Sequence, residues 1–138
     1  MADAVASQTL VDNERIAIMK FTDISDGTGE NKVLKVDVTA LSPSASGNAC
    51  NAVTITKIHA STHGMEVQIY WDATTDVLCW MVPQNSQYTW DWNQFGGLVN
   101  NSGAGKTGNV LFSTVDATNG DMYSIVLEMV KHYVTPSS

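Results

Sequence analysis

The sequence has little charge. Only 15% of its 138 residues are Asp, Glu, Lys or Arg, against about 25% in an average soluble domain. The few charges are mainly acidic, and the net charge is −7. Because phosphate recognition needs clustered Lys and Arg, nucleic acid is not an expected partner. Such low charge indicates either extensive burial or a surface that is covered by partners.

Long apolar runs and cysteines are also scarce. No segment reaches the roughly 20 apolar residues of a membrane span, so no membrane partner is expected. The start, MADAVASQTLVDNER, has no basic stretch followed by an apolar one, so no secretory signal is visible and synthesis in a cytoplasm is expected. Cys50 and Cys79 are the only cysteines. We expect two buried free thiols, although the sequence leaves a disulfide open.

Patterns typical of catalysis or metal binding are missing as well. His59 and His63 lie four residues apart in a β-branched segment, and this spacing on a strand separates them by about 13 Å, too far to share a metal. Glu66, Asp72 and Asp76 are interpreted as scattered, solvated carboxylates. We therefore predict no enzymatic activity, no metal and no cofactor.

What the sequence does contain is a series of short apolar runs separated by turn residues. They predict eight strands with turn signals every 8–14 residues, which is the spacing of a single-domain all-β protein, a β-sandwich or jelly roll. Residues 1–14 have few core-like positions and are expected to be an N-terminal arm, followed by a sandwich domain over residues 15–138. The predicted strands cover residues 15–23, 32–38, 52–62, 65–72, 77–82, 87–92, 109–115 and 122–134.

Two of these runs carry specific expectations. In MEVQIYWD (65–72), Met65, Val67, Ile69 and Trp71 alternate with polar residues, so they should share the buried face of a hairpin with 77–82. The run MYSIVLEMVKHYV (122–134) fits both a strand and an amphipathic helix. We favour a strand because the run follows an Asn-Gly turn and is rich in β-branched and aromatic residues.

The glycine-rich segment 96–108 contains Gly105, Lys106 and Thr107, which resemble the end of the nucleotide-binding pattern G-x-x-x-x-G-K-[ST]. The first glycine of that pattern is replaced by Asn100. A predicted strand follows the segment, whereas phosphate binding requires the N-terminus of a helix there. We interpret the segment as a permissive loop and not as a nucleotide site.

The four tryptophans fall into two pairs. Trp71 and Trp80 lie in the predicted hairpin and are expected in the core. Trp90 and Trp92 share one face of YTWDW (88–92). That face is core, a covered interface, or a sugar-stacking surface to which Tyr88 would also belong, and the sequence leaves these readings open.

Four stretches together resemble one group of proteins. They are LVDNERIAIMKFTDISDG, VQIYWDATTDVLCWMV, FGGLVNNSGAGKTGNVLFST and the closing YSIVLEMVKHYV. The sequence resembles small virion proteins of tailed bacteriophages, particularly cyanophage-like and other marine phages, over residues 8–134. The resemblance implies a non-enzymatic structural protein, with a capsid decoration (cement) role foremost. A tail, neck or fibre component is the alternative from the same group, and a carbohydrate-binding β-sandwich module is the alternative from another class.

A decoration role implies the virion exterior as the location, and the major capsid protein and further copies of this chain, as a homotrimer, as partners. Contacts are expected from the N-terminal arm and the glycine loop, and from Trp90 and Trp92 on the reading that their face is a covered interface. The candidate interface residues are Leu10, Val11, Trp90, Trp92, Gly96, Gly97, Asn100, Gly103 and Gly105.

Overall fold

A computed structural model describes residues 4–115 and 117–133, which form nine strands and two single-turn 3-10 helices. No α-helix occurs within these two ranges. The predicted all-β, single-domain fold is confirmed, with one strand more than the eight predicted. The strands are β1 (Ala4–Asp12), β2 (Ile16–Asp26), β3 (Val33–Val36), β4 (Cys50–His63), β5 (Glu66–Trp71), β6 (Val77–Val82), β7 (Gln87–Asp91), β8 (Val110–Val115) and β9 (Asn119–Tyr133).

The strands form two antiparallel sheets. The five-stranded sheet has the order β1-β2-β9-β4-β7, and the four-stranded sheet has the order β3-β8-β5-β6. Without β1, each sheet has four strands, in the orders β2-β9-β4-β7 and β3-β8-β5-β6. This arrangement of eight strands is that of a jelly roll. Strand β1 is an addition to that plan, placed beside β2 at one edge.

Side-chain alternation explains why these segments are strands. Met65, Val67, Ile69 and Trp71 are at most 1% exposed, so the predicted buried face of β5 is confirmed. Strand β9 pairs with β2 on one side and with β4 on the other. The strand prediction for residues 122–133 is therefore correct and the helical alternative is wrong, because both backbone edges of the segment take part in sheet pairing; residue 134 lies outside the described residues.

The interior between the sheets is filled by aromatic and aliphatic side chains. Phe21 of β2 packs edge-to-face on Phe112 of β8, with ring centroids 5.2 Å apart. Phe112 in turn lies 5.9 Å from the Tyr123 ring of β9. Buried polar groups are also present: the Tyr123 hydroxyl donates to Glu30 over 2.5 Å, and Glu30 accepts from Lys35 over 2.5 Å. These bonds attach the β2–β3 connection to the core.

A second buried charge holds the opposite end of β9. The Lys131 side chain is 0% exposed, and its Nζ donates to Asp12 Oδ1 (2.6 Å) and to the carbonyls of Asn13 and Ser42 (2.8 Å each). Burial opposes the charge of Lys131, but its hydrogen bonds with Asp12 and Tyr133 outweigh this effect and raise its pKa above 10.5. Burial likewise opposes the charge of Asp12, yet bonds from Lys131 and Ser42 lower its pKa below 3.8.

The N-terminal segment differs from the prediction. Residues 1–14 were expected to form an arm, but residues 4–12 form strand β1, which pairs with β2 through a register shift between Thr9 and Val11; residues 1–3 lie outside the described part of the chain. The side chains of residues 5–10 are all exposed. The side-chain pattern therefore indicated correctly that the segment adds nothing to the core. The pattern gave no information on backbone pairing, which any extended segment without Pro is able to make.

Candidate functional site

Strand β1 presents a free backbone edge. Among the described residues it pairs only with β2. Residues 4–11, AVASQTLV, contain no charge and no proline, which are residues with which proteins usually block an edge. The register shift between Thr9 and Val11 is the feature of this edge that opposes strand addition. Val5 is 45% exposed, and Leu10, at the register shift, is 47% exposed. Val11, the other predicted contact residue here, is half-buried. The edge is thus open to the addition of another strand.

The glycine loop packs against its own chain. Gly97 has φ +98°, and a Cβ atom there would lie 2.8 Å from the Ile55 carbonyl oxygen. Gly105 has φ +77°, and a Cβ atom there would lie 2.0 Å from the Thr74 hydroxyl. Packing within the chain therefore explains why these two predicted contact glycines lack a side chain. Their contact with a neighbouring subunit stays a prediction.

The other two predicted glycines of the loop have open space around them. Gly96 and Gly103 are exposed, and a Cβ atom at either would meet nothing within 4 Å. Asn100 is half-buried, and its Oδ1 accepts from the Ser102 amide over 2.9 Å.

Two attachments hold the loop. Ile55 and Leu98 exchange backbone hydrogen bonds of 3.1 and 2.7 Å. Thr107 donates from its amide to the Asp72 carbonyl (3.1 Å) and from its hydroxyl to the Asp72 carboxylate (2.8 Å). Strand β8 follows at Val110, where a phosphate-binding loop would need a helix. The Lys106-Thr107 pair thus belongs to a loop docked on a neighbouring turn.

Three tryptophans and Tyr88 form a second aromatic cluster, where β6 and β7 approach each other across the two sheets. The ring of Trp80 lies 4.8 Å from Trp92 and 5.8 Å from Trp90, both edge-to-face. Trp92 is only 9% exposed and Trp90 is half-buried. Trp92 is therefore a core residue and is not available as part of the sugar-stacking surface that the sequence left open. Tyr88, 60% exposed and 5.1 Å from Trp90, stays accessible.

A shallow, open groove of about 610 Å³ lies over four strands of the five-stranded sheet, β2, β9, β4 and β7. Its lining combines hydroxyl, amide, imidazole and ammonium groups with a somewhat larger share of apolar surface. The lining residues are Lys20, Thr22, His59, Ala60, Ser61, Gln87, Tyr88, Thr89, Ser124 and Val126.

His59 lies between two partners in this groove. Its Nε2 is 2.6 Å from Glu128 Oε2, and its Nδ1 is 3.1 Å from the Thr89 hydroxyl. The three residues come from the adjacent strands β4, β9 and β7 and are 30 and 69 positions apart. Sequence reasoning missed the cluster because only the pairing register brings these positions together, and no local pattern marks them.

Thr89, His59 and Glu128 have the same chemical groups as a catalytic triad, in which a hydroxyl is the nucleophile, an imidazole the base and a carboxylate the group that orients the base. Acyl transfer also needs amide donors aimed at the developing oxyanion. Here the cluster lies on a sheet face, where backbone amides of the interior strands point within the sheet toward neighbouring strands.

Within residues 4–115 and 117–133, no group of three or more His, Cys, Asp and Glu side chains is placed to hold a metal ion. Nor is any helix in this part of the chain long and apolar enough to cross a membrane. Both cysteines are free, Cys50 buried and Cys79 half-buried. Burial raises the pKa of Cys79 to about 12.

Comparisons with known proteins do not identify a family for this chain. No protein-family model matches the sequence, and no curated protein is significantly similar to it. Among solved structures, a cupin superfamily protein from Desulfitobacterium hafniense aligns over 95% of this chain and 80% of its own, with 11% identity and a TM-score of 0.34. Neither value supports a transfer of function.

Proposed function

We propose that this protein is a non-enzymatic structural protein of a tailed-phage virion, a decoration protein that binds and stabilises the capsid shell. The observation that supports this role best is strand β1. It exposes both faces over residues 5–10 and also has a free, uncharged edge. Such an edge would be an aggregation hazard in a protein that stays free in solution.

Strand addition is a recurrent way to attach a protein to a partner. An extended segment of the capsid protein, laid along β1, would gain main-chain hydrogen bonds and would cover Val5 and Leu10. Covering these half-exposed side chains contributes about 1 kcal/mol each. The gain at one site is modest, but an oligomer that contacts several capsid subunits multiplies it.

Binding of this kind stabilises a shell by mass action. A protein that binds the assembled shell, but not its separated subunits, favours assembly in proportion to the number of filled sites. Jelly rolls also occur in viral capsid domains, although they serve lectins and cupins too, so the fold supports the proposal only by analogy. The low charge of the chain, 15% charged residues, fits a surface that is largely covered.

The test is the position and copy number of the protein in purified particles. Labelling by specific antibody in electron microscopy and quantitative mass spectrometry are expected to find it on the capsid exterior in numbers comparable to the capsid subunits. About six to a dozen copies at one vertex or along a tail would instead support a tail, neck or fibre component. Absence from every purified particle would refute both roles.

A further inference from the structure

We propose that Asn119 is a site of spontaneous deamidation in the folded protein, through attack by the backbone amide nitrogen of Gly120. The two residues occupy the central positions of a turn that runs from Thr118 to Asp121, where β9 begins. The turn lies at the end of the β2–β9 ladder and not at the β1 edge. The inference is therefore independent of the proposed virion role.

Three features distinguish Asn119 from the other asparagines. It is the only asparagine followed by glycine, and a neighbour without a Cβ atom leaves its own amide nitrogen unhindered. The Asn119 side chain is exposed and, among the described residues, has no hydrogen-bond partner. By contrast, the side-chain oxygens of Asn100 and Asn109 accept hydrogen bonds of 2.9 Å from backbone amides, which fix their carboxamides.

The turn leaves room for the attack. Gly120 has φ +91°, and a Cβ atom there would meet nothing within 4 Å. The hydrogen bond from the Asp121 amide to the Thr118 carbonyl (3.0 Å) closes the turn without involving its central peptide. Opposite changes of ψ at Asn119 and φ at Gly120 turn this peptide over while the closing bond remains, as in the exchange between type I and type II turns. The pair of Asn119 with Asp26 is the last of its ladder and follows a register shift, so the motion disturbs little pairing.

The reaction needs only water. The Gly120 amide nitrogen forms a bond to Cγ of Asn119, the bond from Cγ to Nδ2 breaks, and Nδ2 leaves as ammonia with the proton of the Gly120 amide. Water then opens the five-membered imide at one of its two carbonyl groups. The products are aspartate and isoaspartate, in which the main chain passes through the former side-chain carbon. The net change exchanges a neutral carboxamide for a charged carboxylate.

The product places a new carboxylate opposite Asp26. Asn119 and Asp26 are cross-strand partners on β9 and β2, and like charges directly opposite each other destabilise a sheet. Asp26 is also followed by glycine, but its Oδ1 accepts from the Thr28 amide over 3.0 Å, which fixes its carboxylate. We therefore expect modification at Asn119, and expect it to weaken the pairing at the start of β9.

The experiment follows the full-length protein during incubation at neutral pH, with digestion by pepsin in acid, where the reaction is slow. Mass spectrometry locates each conversion, and an isoaspartyl methyltransferase labels the isoaspartate. We expect Asn119 to convert at least tenfold faster than Asn101, which is exposed and followed by serine. The native rate should be within tenfold of the rate in guanidinium, because the attack does not require unfolding.

Asn119→Gln is the matched variant, because the longer side chain would have to close a six-membered ring. Isoaspartate labelling of the peptide that contains residue 119 should disappear, while circular dichroism stays like that of wild type. The proposal is refuted if the advantage of Asn119 over Asn101 is less than tenfold, if the native rate is more than tenfold below the unfolded rate, or if the labelling persists in Asn119→Gln.

The consequence for the ladder has its own test. Asn119→Asp imitates the charge of the product and should lower the midpoint of guanidinium unfolding. The shift should be smaller in an Asp26→Ser background, which removes the opposing carboxylate and creates no second Asn-Gly pair. Equal shifts in the two backgrounds would refute the repulsion from Asp26.

Discussion

The two edges of the five-stranded sheet are stabilised in different ways. At the β7 edge, Trp90 and the adjoining Trp92 pack on Trp80 of the opposite sheet, so core contacts hold the strand. At the β1 edge, the side chains of residues 5–10 are exposed and the ladder with β2 is the main attachment. Among the described residues both strands leave one backbone edge unpaired. Core contacts fasten the β7 edge, which we call the closed edge, whereas little besides the ladder fastens the β1 edge, which we call the open edge.

The energetics of the two edges follow from this difference. Ordering a residue costs about 1–2 kcal/mol, and a backbone hydrogen bond returns only about 0.5–1.5 kcal/mol. Without burial, β1 is close to balance and opens locally at low cost. β7 gains the burial of two indole rings in addition. The comparison indicates that a partner would stabilise β1 more than β7, because β1 has more unburied side-chain surface that a partner could cover.

The largest expected effect is the loss of support at the closed edge. Trp92→Ala removes a 9%-exposed indole that packs on Trp80 and should lower the free energy of unfolding by about 3–5 kcal/mol. Urea denaturation of wild type and variant measures this difference in the free energy of unfolding. Tyr88→Ala, at a 60%-exposed ring on the same edge, is the control and should cost less than about 1 kcal/mol. Equal losses in the two variants would contradict the idea that the tryptophan cluster closes this edge.

Lys131 anchors the chain just after the exposed part of β1. Lys131→Met should cost about 3 kcal/mol, because it leaves Asp12 without its buried partner, although Asp12 is itself 21% exposed. Asp12 has a lowered pKa in the folded state, so the stability it contributes is present above pH 3.8 and is lost as the pH falls through the folded value.

The pH dependence separates the charge effect from packing. Denaturation curves should show wild type losing stability below pH 3.8, with a smaller loss in Asp12→Asn. The pKa of Lys131 is raised, so its contribution is complete below 10.5 and declines as the pH rises through the folded value. Parallel acid profiles for wild type and Asp12→Asn would contradict this assignment.

Much of the fold could be predicted from the sequence, since short apolar runs and turn residues identified β2 to β9. The missed strand, β1, has no buried face, and alternation reports only burial. The candidate sites were harder. Gly97 and Gly105 looked available for a partner because the sequence does not show that Ile55 and Thr74 lie against them. The cluster around His59 depends on the register of three strands, which no local pattern encodes.

Substitutions at the open edge should separate binding from stability. Val5→Lys combined with Leu10→Lys places charges along β1, which opposes strand addition. Because both side chains are about half exposed, the free energy of unfolding should change by less than about 0.5 kcal/mol. Occupancy on purified shells, measured by co-sedimentation, should fall at least tenfold.

The matched control uses the edges of the other sheet. Leu34 on β3 and Leu78 on β6 are 48% and 41% exposed, so Leu34→Lys with Leu78→Lys adds the same charge at similar exposure. Shell binding of this control should stay near wild type. If both double variants lose binding equally, added charge and not the β1 edge is responsible.

The smallest effect concerns Cys79, whose thiol reports on opening next to the closed edge. Burial raises its pKa from 9.0 to about 12, so very little reactive thiolate exists at pH 8. In a Cys50→Ala background, Ellman's reagent should label Cys79 at least a hundredfold more slowly in the native protein than in urea. Adding Trp92→Ala loosens the neighbouring cluster and should accelerate native labelling, whereas Val5→Lys with Leu10→Lys should leave the rate unchanged. Equal acceleration by both changes would mean that the two edges open together, and the contrast between them would then fail.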